Sequence, residues 1–540
     1  MTLPVFAEAD FVIVGAGSAG SLIAAALADH PGTTVAVIEA GSRGRDPLLS
    51  VPLLTGFFLR SERYTWPFET VPQAHLDGRR IKWPRGRVVG GSGAINGMVW
   101  ARGLPSDFDH WAQTGLVDWS WEKVRPVFED VEGMASPDGR GRALGIEEPD
   151  WWTGLYDAYL SGAAAAGLGR TQDFNGEQPE GAGRYRFNIR GGRRANTGRL
   201  LLRRQKAGNL QLLTDTQTLR LEIAEGRARA VRVRRGGEEG LVVARREIVL
   251  SAGTIGSPQI LLASGIGPAA DLADLGIPVT VDSAQVGRNL QDHLLVRVEH
   301  AALKPGGLNR LLRADRAAFA LARALVFGKG PASCFPLLVG GFFKSRPDLD
   351  EPDLQSHFMP ALTSATIRVN PFRAPPGARD DGDGFFANIF QMRPESRGTL
   401  RLSSPSPLDK PLIDPNYLSS EADRERLRAG VRLLRRIFAT GAFDEWRGRE
   451  LSPGDARQSD EDLDAWIRDT AESVYHPTGT CRMGADPASV VDSRLRLRGV
   501  DGIRVADASV MPAITSANTN APTVMIAHRA ARLLLDAPSW

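Results

Sequence analysis

The chain has 540 residues, of which 42% are hydrophobic and 24% charged, with a formal net charge of +3. That length exceeds a single compact core and sets a prior of three or four structural units. The small, interspersed charge excludes the basic footprint of a nucleic-acid binder, and two cysteines, Cys334 and Cys481, allow one disulfide but exclude a disulfide scaffold.

The N-terminus, "MTLPVFAEAD", lacks a basic region followed by an apolar one, so no secretory signal is read. No apolar run reaches the ~18 residues of a membrane span. These features point to a reducing, soluble compartment, and the expected location is the cytoplasm. "FVIV" at 11–14 is a buried strand. Gly15, Gly17 and Gly20 follow at G-x-G-x-x-G spacing, then "SLIAAALADH" as a helix and "TVAVIEAG" as a second strand ending at Glu39. Gly15 permits the strand-to-helix turn, Gly17 lets backbone approach a pyrophosphate, and Gly20 lets helix and strand pack closely. The helix N-terminus offers free N–H groups to phosphates. Glu39 stands where a carboxylate accepts from ribose hydroxyls and repels a 2′-phosphate, which argues against NADP. The motif by itself does not separate NAD from FAD.

Further along, 209–235 reads as strands joined by a turn at "EGR", and 246–267 as strand, glycine turn and helix, with "EIVLSAG" a parallel strand of the nucleotide domain. The basic runs "RVRR" (232–235) and "RLRLRG" (494–499) alternate with apolar residues and read as strands with one wet face. Between about 300 and 465 the texture changes. "RADRAAFALARALVFG", "SEADRERLRAGVRLLRRIFAT" and "DARQSDEDLDAWIRDTAES" read as helices, the second capped by Ser420 or Ser419. Runs rich in proline, glycine and aspartate, among them "NPFRAPPGARDDGDGF", read as loops and short strands around a separate sheet. In the C-terminal quarter "IRVADAS" is a strand ending in Asp507, and "APTVMIAHRAARLLL" a helix with Pro522 in its first turn. Ligands of α/β sheets sit beyond the carboxyl ends of strands, which places Asp507 and the Asn518–Asn520 stretch as cofactor or substrate contacts, with a helix cap as the plainer role for the asparagine-rich loop.

Four blocks together, "GRVVGGSGAINGMVWARG" (86–103), "SAGTIGSPQILLASGIGP" (251–268), "YHPTGTCRMG" (475–484) and "RVADASVMPAITSANTNAPTVMIAHRAA" (504–531), resemble the glucose–methanol–choline oxidoreductases. "VGRNLQDH" (286–293) is also similar, and the glycine triplet fits as a further block. The resemblance runs nearly end to end. It implies an α/β chain: a Rossmann-like FAD-binding domain with an interleaved α+β substrate domain capping the flavin. The expected FAD-binding segments are 1–150, 206–298 and 469–540, and the substrate-domain segments 151–205 and 299–468.

The resemblance further implies that Ser18, Ala19 and Ala40 join the glycines and Glu39 around the nucleotide. Val88, Gly91, Asn96, Gly97, Met98 and Val99 would line isoalloxazine and pyrophosphate. Thr218 falls where the family meets adenine with backbone groups, and Ala252, Asp507, Ala508 and Thr519 complete the cofactor contacts. His476 matches the catalytic histidine and Asn518 the second active-site position. Some members tether FAD through a histidine where Ile95 stands here, so noncovalent FAD is expected. Choline-type members carry a carboxylate in the stretch resembling "FPLLVGGFF" (335–343), where Leu338 and Val339 stand here, which favours an uncharged alcohol.

Three roles compete for His476. A metal ligand lacks companions, since Cys481 is the only nearby soft ligand. A buried structural histidine is the ordinary role of an isolated imidazole. The surrounding block favours a catalytic base, which takes the alcohol proton near neutral pH while Asn518 donates to the same oxygen. The sequence does not say which ring nitrogen acts. His293 is expected to be structural, His528 to pack or to lie at the surface, the pair His110 and Trp111 to pack, and Phe57, Phe58, Trp66, Phe335 and Tyr475 to offer an apolar pocket.

The leading expectation is an FAD-dependent oxidase or dehydrogenase of a primary alcohol, aromatic and furanic alcohols included. Oxygen or another electron acceptor would be its second partner, with no nucleic acid, no membrane span and an open oligomeric state. A choline- or sugar-type dehydrogenase is the alternative within the class. A nonoxidative hydroxynitrile lyase on the same scaffold, or a regulatory nucleotide-binding protein without turnover, are alternatives from other classes.

Overall fold

The computed structural model describes residues 3–133, 144–311, 313–365 and 382–536. Two seven-stranded sheets carry the molecule. In the first, the strand Val5–Val14 runs parallel to Val35–Ile38 on one side and to Glu238–Leu250 on the other. Leu210–Leu213 extends the parallel set beyond Val35–Ile38, and Ile503–Val505 joins Glu238–Leu250 in parallel. Neighbours on both edges and helices on the faces explain why Phe11–Val14 is wholly buried and apolar rather than alternating. Arg227–Arg235 and Thr216–Ala224 continue the sheet antiparallel, which leaves Thr216–Ala224 as its edge.

The second sheet is antiparallel and runs in the order Arg447–Ser452, Leu294–Ala302, Gly384–Gln391, Leu354–Met359, Val339–Phe343, Gly181–Arg184, with Glu472–Ser473 paired to Leu294–Ala302. The helix Glu421–Phe438 packs on it. The molecule is therefore mixed α/β, with a Rossmann-like sheet and a second, antiparallel sheet contributed by segments inserted between its strands. Among the described residues no helix is long and apolar enough to cross a membrane.

The glycine turn closes as the sequence predicts. Gly15 has φ +95°, and the helix Ser18–Leu27 begins directly behind it. A Cβ at Gly20 would lie 2.0 Å from the Gly15 carbonyl oxygen, so helix and strand touch through backbone there. Gly20→Val is accordingly expected to lower the melting temperature of the flavin-free protein, not merely its cofactor affinity, because overpacking of this kind costs about 1–3 kcal/mol. Scanning calorimetry of the apoprotein reads this directly.

Several local expectations change. "RVRR" lies in the strand Arg227–Arg235, but "RLRLRG" forms a turn with isolated bridges at Arg496 and Leu497. Asp492 draws the backbone N–H groups of Arg494 and Arg496 onto one carboxylate oxygen, and that local closure replaces a ladder. Ser420 occupies the N-cap position of Glu421–Phe438 yet makes no capping bond, because its hydroxyl donates to Glu395. The helices Ala314–Phe327, Asp460–Thr470 and Asn520–Leu535 form where the sequence places them. Most of "NPFRAPPGARDDGDGF" lies outside the described residues. Cys334 and Cys481 are both buried and unpaired.

Candidate active site

A cavity of about 610 Å³ is lined by residues from both sheets. Of the residues singled out in the sequence, it gathers Gly15, Gly17, Ser18, Ala19, Glu39, Ala40, Gly91, Asn96, Gly97, Met98, Val99, Thr218, Ala252, Asp507, Ala508 and Thr519 along its wall, together with His476 and Asn518. Two do not reach it. Gly20 packs against Gly15, and Val88 is fully buried, bridged to Ser42 and packed with Leu49 and Phe58. Trp66, Phe335 and Tyr475 line the cavity as expected, and Phe68 and Leu337 join them. Phe57 is instead 65% exposed, and Phe58 is buried edge-on against Tyr64.

One end of the cavity suits a dinucleotide. The helix Ser18–Leu27 starts at Gly17 without a side-chain cap, so its first N–H groups remain available to phosphate. The helix Asn520–Leu535 likewise starts at Thr519 without one. Glu39 is buried, and its two oxygens accept from Ala16 N (3.0 Å) and Gly41 N (2.8 Å), which hold the carboxylate toward the cavity with lone pairs to spare. Burial pushes its carboxyl up, against those two hydrogen bonds. Thr218 lies on the edge strand, beside a bulge, and its hydroxyl is buried without a partner among the described residues. Asp507 is more constrained than expected: it caps the helix Gly253–Ala263 by accepting from Gly253 N (2.8 Å) and Ser257 Oγ (2.6 Å), and takes Ser509 N on its other oxygen. These features fit FAD: uncapped helix ends for the pyrophosphate, a carboxylate for the ribose and an unpaired edge for the adenine.

Asn96 is turned into the protein. Its Oδ1 accepts from Met98 N (3.1 Å) and from Arg194 (2.7 Å). Arg194 is wholly buried without a carboxylate partner among the described residues. It also donates to Thr55 Oγ1, and burial pushes its guanidinium down to about 9.

The other end holds the imidazoles. Residues 289–295 run antiparallel to 473–479, with Gln291 and Thr478 exchanging backbone hydrogen bonds. Buried Asp292 accepts from His476 N (2.7 Å) and Ser473 Oγ (2.5 Å), and also from the Tyr417 hydroxyl. Burial pushes the Asp292 carboxyl up to about 6 despite these donors and Arg85. Tyr475 sits at φ +65°, a strained conformation for an aromatic residue, and that turn presents His476 to the cavity.

The ring contacts fix the proton positions. The Met392 carbonyl can only accept, so His293 Nε2 donates to it (2.8 Å). Neutral His293 then accepts at Nδ1, and His476 Nδ1 donates to it (3.0 Å). His476 Nε2 is left as the bare nitrogen, and Asn518 Nδ2 donates to it (3.2 Å). Asn518 Oδ1 accepts from Gln355 Nε2 (3.1 Å), which also donates to His357 Nε2 (3.0 Å). Burial holds all three imidazoles neutral: His293 falls to about 4, His357 to about 3, and His476 well below the ordinary histidine range. His293 is thus buried as expected, but it also sets the tautomer of His476. Gln355 and His357 were not singled out in the sequence. The only hint was "LQSHFM", a strand whose polar residues are as buried as its apolar ones.

These buried rings predict acid lability. In the unfolded chain each histidine binds a proton below pH ~6.5, whereas the folded chain keeps these three neutral well below that value. Their contribution is complete above pH ~6.5 and is lost as pH falls toward their folded values, by ~1.4 kcal/mol per proton per pH unit. Asp292, Glu39 and Asp507, each raised by burial, oppose this by taking up protons in the folded chain before the unfolded one. The midpoint of urea unfolding is expected to drop between pH ~6.5 and ~4.5, by less than three histidines alone would give. A flat profile there would mean that the rings are charged in the folded state.

Among the other histidines, His528 is buried and faces Asp130 at 2.8 Å, whereas His110 is exposed rather than packed; its neighbour Trp111 packs edge-on against Phe108. Among the described residues no group of three metal-ligating side chains is found.

Comparison with known proteins agrees with this architecture. A family model described as GMC oxidoreductase matches residues 9–295, and a second of the same description matches 394–527. An oxygen-dependent choline dehydrogenase from Photobacterium profundum is 38% identical over 552 residues, covering 98% of this chain and 95% of that protein. A protein of the same name from Brucella anthropi is 38% identical, covering 98% of this chain and 96% of its own. The crystal structure of pyridoxine 4-oxidase from Mesorbium loti has a TM-score of 0.85 at 34% identity, covering 97% of this chain and 98% of that one.

Proposed function

The chain belongs to the GMC oxidoreductases, FAD-dependent enzymes acting on CH–OH donors, and from that premise we propose that it oxidises a primary alcohol borne on an aromatic or furanic ring to the aldehyde. The observation that carries this reading is the unprotonated Nε2 of His476, paired with Asn518 Nδ2 at the wall of a cavity that Trp66, Phe68, Phe335 and Leu337 also line.

Bound FAD would supply the acceptor for the hydride that leaves the carbinol carbon. The protein supplies the rest. His476 Nε2 accepts the hydroxyl proton, and Nδ1–H stays on His293. Asn518 Nδ2 donates to the oxygen as negative charge develops there. The aromatic wall excludes water and orients a flat ring.

The curated relatives are named for choline. A quaternary ammonium calls for a carboxylate or an aromatic cage. The carboxylates lining this cavity are Glu39 and Asp507 at the nucleotide end and Asp409 on the exposed rim, while Arg85 and Arg297 line the catalytic end. Leu338 and Val339 are buried outside the cavity. That charge balance supports an uncharged reacting end. The division into a cofactor domain (1–150, 206–298, 469–540) and a substrate domain (151–205, 299–468) belongs to the same proposal, with Leu294–Ala302 running through the boundary at 298.

Anaerobic mixing with a panel of alcohols tests the reading. Benzylic and furanic alcohols are expected to bleach the flavin and choline to leave it coloured. Bleaching by choline alone would overturn the substrate assignment, and bleaching by no alcohol would favour a nonoxidative role. With Ile95 where a tethering residue would stand, acid precipitation is expected to release the yellow colour to the supernatant. Flavin retained in the pellet would show a covalent link elsewhere.

A further inference from the structure

Resting on the reading above, that the cavity oxidises a ring alcohol, we propose that the substrate carries a second polar group, a hydrogen-bond acceptor, held by His357 and Asn388. The two face each other across neighbouring strands of the antiparallel sheet, and Arg297 stands opposite Asn388 on the next strand. All three line the cavity. They form a polar row across three strands, on a wall whose other members include Leu295, Phe335 and Leu337.

The donor character of this row follows from its fixed neighbours. An arginine only donates, so Arg297 Nε fixes Asn388 Oδ1 as the acceptor (2.9 Å) and leaves Asn388 Nδ2 as the free end. His357 Nε2 accepts from Gln355, so the proton of the neutral ring sits on Nδ1. Neither His357 Nδ1 nor Asn388 Nδ2 makes a hydrogen bond among the described residues. His357 is 3% exposed and Asn388 8%. Both donors belong to buried side chains yet remain reachable from the cavity they line, and an acceptor placed between them pairs with both. Residues paired across antiparallel strands have Cβ atoms roughly 4.5–5.5 Å apart, so the two N–H groups can converge on one oxyanion or ring nitrogen. Arg297 gives one guanidinium nitrogen to Glu472 (2.7 Å), which offsets its charge and holds the side chain in place against Asn388. A group of acceptor or anionic character fits this wall, and a donor or cation does not.

The test compares benzyl alcohol with the pyridylmethanols and the carboxybenzyl alcohols, by anaerobic flavin reduction in the holoenzyme. In the wild type at least one acceptor-bearing isomer is expected to have a Kd, read from the concentration dependence of the reduction rate, about tenfold to a hundredfold below that of benzyl alcohol. Asn388→Leu is expected to collapse that ratio toward one. Asn388→Asp keeps the acceptor for Arg297 but replaces the free donor by a carboxylate oxygen, and is expected to push the ratio below one for the carboxylates. The Asp variant also guards against a Leu variant that fails to fold. Benzyl alcohol bleaching the wild type as readily as every substituted isomer would overturn the proposal while leaving the ring-alcohol reading intact. So would a preference that survives in both variants, or a variant whose only change is a shifted flavin spectrum. Failure of every alcohol to bleach the flavin removes the ring-alcohol reading and this proposal with it.

Discussion

His476→Ala is expected to keep its FAD and to lose about 10²–10⁴ in the rate of anaerobic flavin reduction, the usual range for a missing general base. The retention follows from position. His476 stands at the catalytic end, whereas the helix start at Gly17, Glu39 and the edge strand at Thr218 form the nucleotide end. The loss follows from the proton chain: with Met392 fixing His293, and His293 fixing His476 Nδ1–H, only Nε2 can accept. The pH profile supplies a second readout. The base works when neutral, and burial lowers its proton affinity well below the ordinary range. The wild-type reduction rate is therefore expected to stay level down through pH ~6.5 and to fall only in more acidic solution. Stopped-flow traces of the Ala variant at near wild-type speed would remove His476 from the chemistry. An acid limb centred at an ordinary histidine value would show that water reaches the ring.

The glycine turn and Glu39 were legible because their geometry is local: strand, turn and helix lie within forty residues, and the backbone demand falls on named glycines. His476 and Asn518 were legible only through the blocks that contain them, since a lone imidazole more often packs than reacts. The polar network around them was not. His293 meets His476 from 183 residues away, and Gln355 meets Asn518 from 163. Those contacts depend on the register of the antiparallel sheet against the loop at 473–479, and hydrophobic patterning does not encode that register between distant segments. The same limit explains Phe57 and Phe58. Adjacent aromatics read alike in the sequence, yet on a single helical turn one points to solvent and the other into the core. Val88 and Gly20 show the reverse case, in which a residue inside a cofactor motif supports the cradle from behind.

Asn518→Ala is expected to slow flavin reduction by roughly 10²–10³, the loss typical of one oxyanion donor. Position alone would not separate this from a helix-capping role, because Asn518 precedes the helix Asn520–Leu535. The contacts do separate them. Its side chain makes no cap. Nδ2 goes to His476 Nε2 and Oδ1 to Gln355, so the amide is held between the base and the polar wall. Asn518→Asp sharpens the test, because it keeps the shape and the acceptor toward Gln355 while removing the donor. A carboxylate beside Nε2 favours the imidazolium, and so raises the His476 pKa. The Asp variant is expected to be slower than the Ala variant at neutral pH and to recover part of its rate as pH rises and the ring loses its proton. A helix-capping residue would give the opposite order, with Asp as good a cap as Asn and Ala the weaker. Equal rates for the two variants at every pH would detach Asn518 from the proton held on His476.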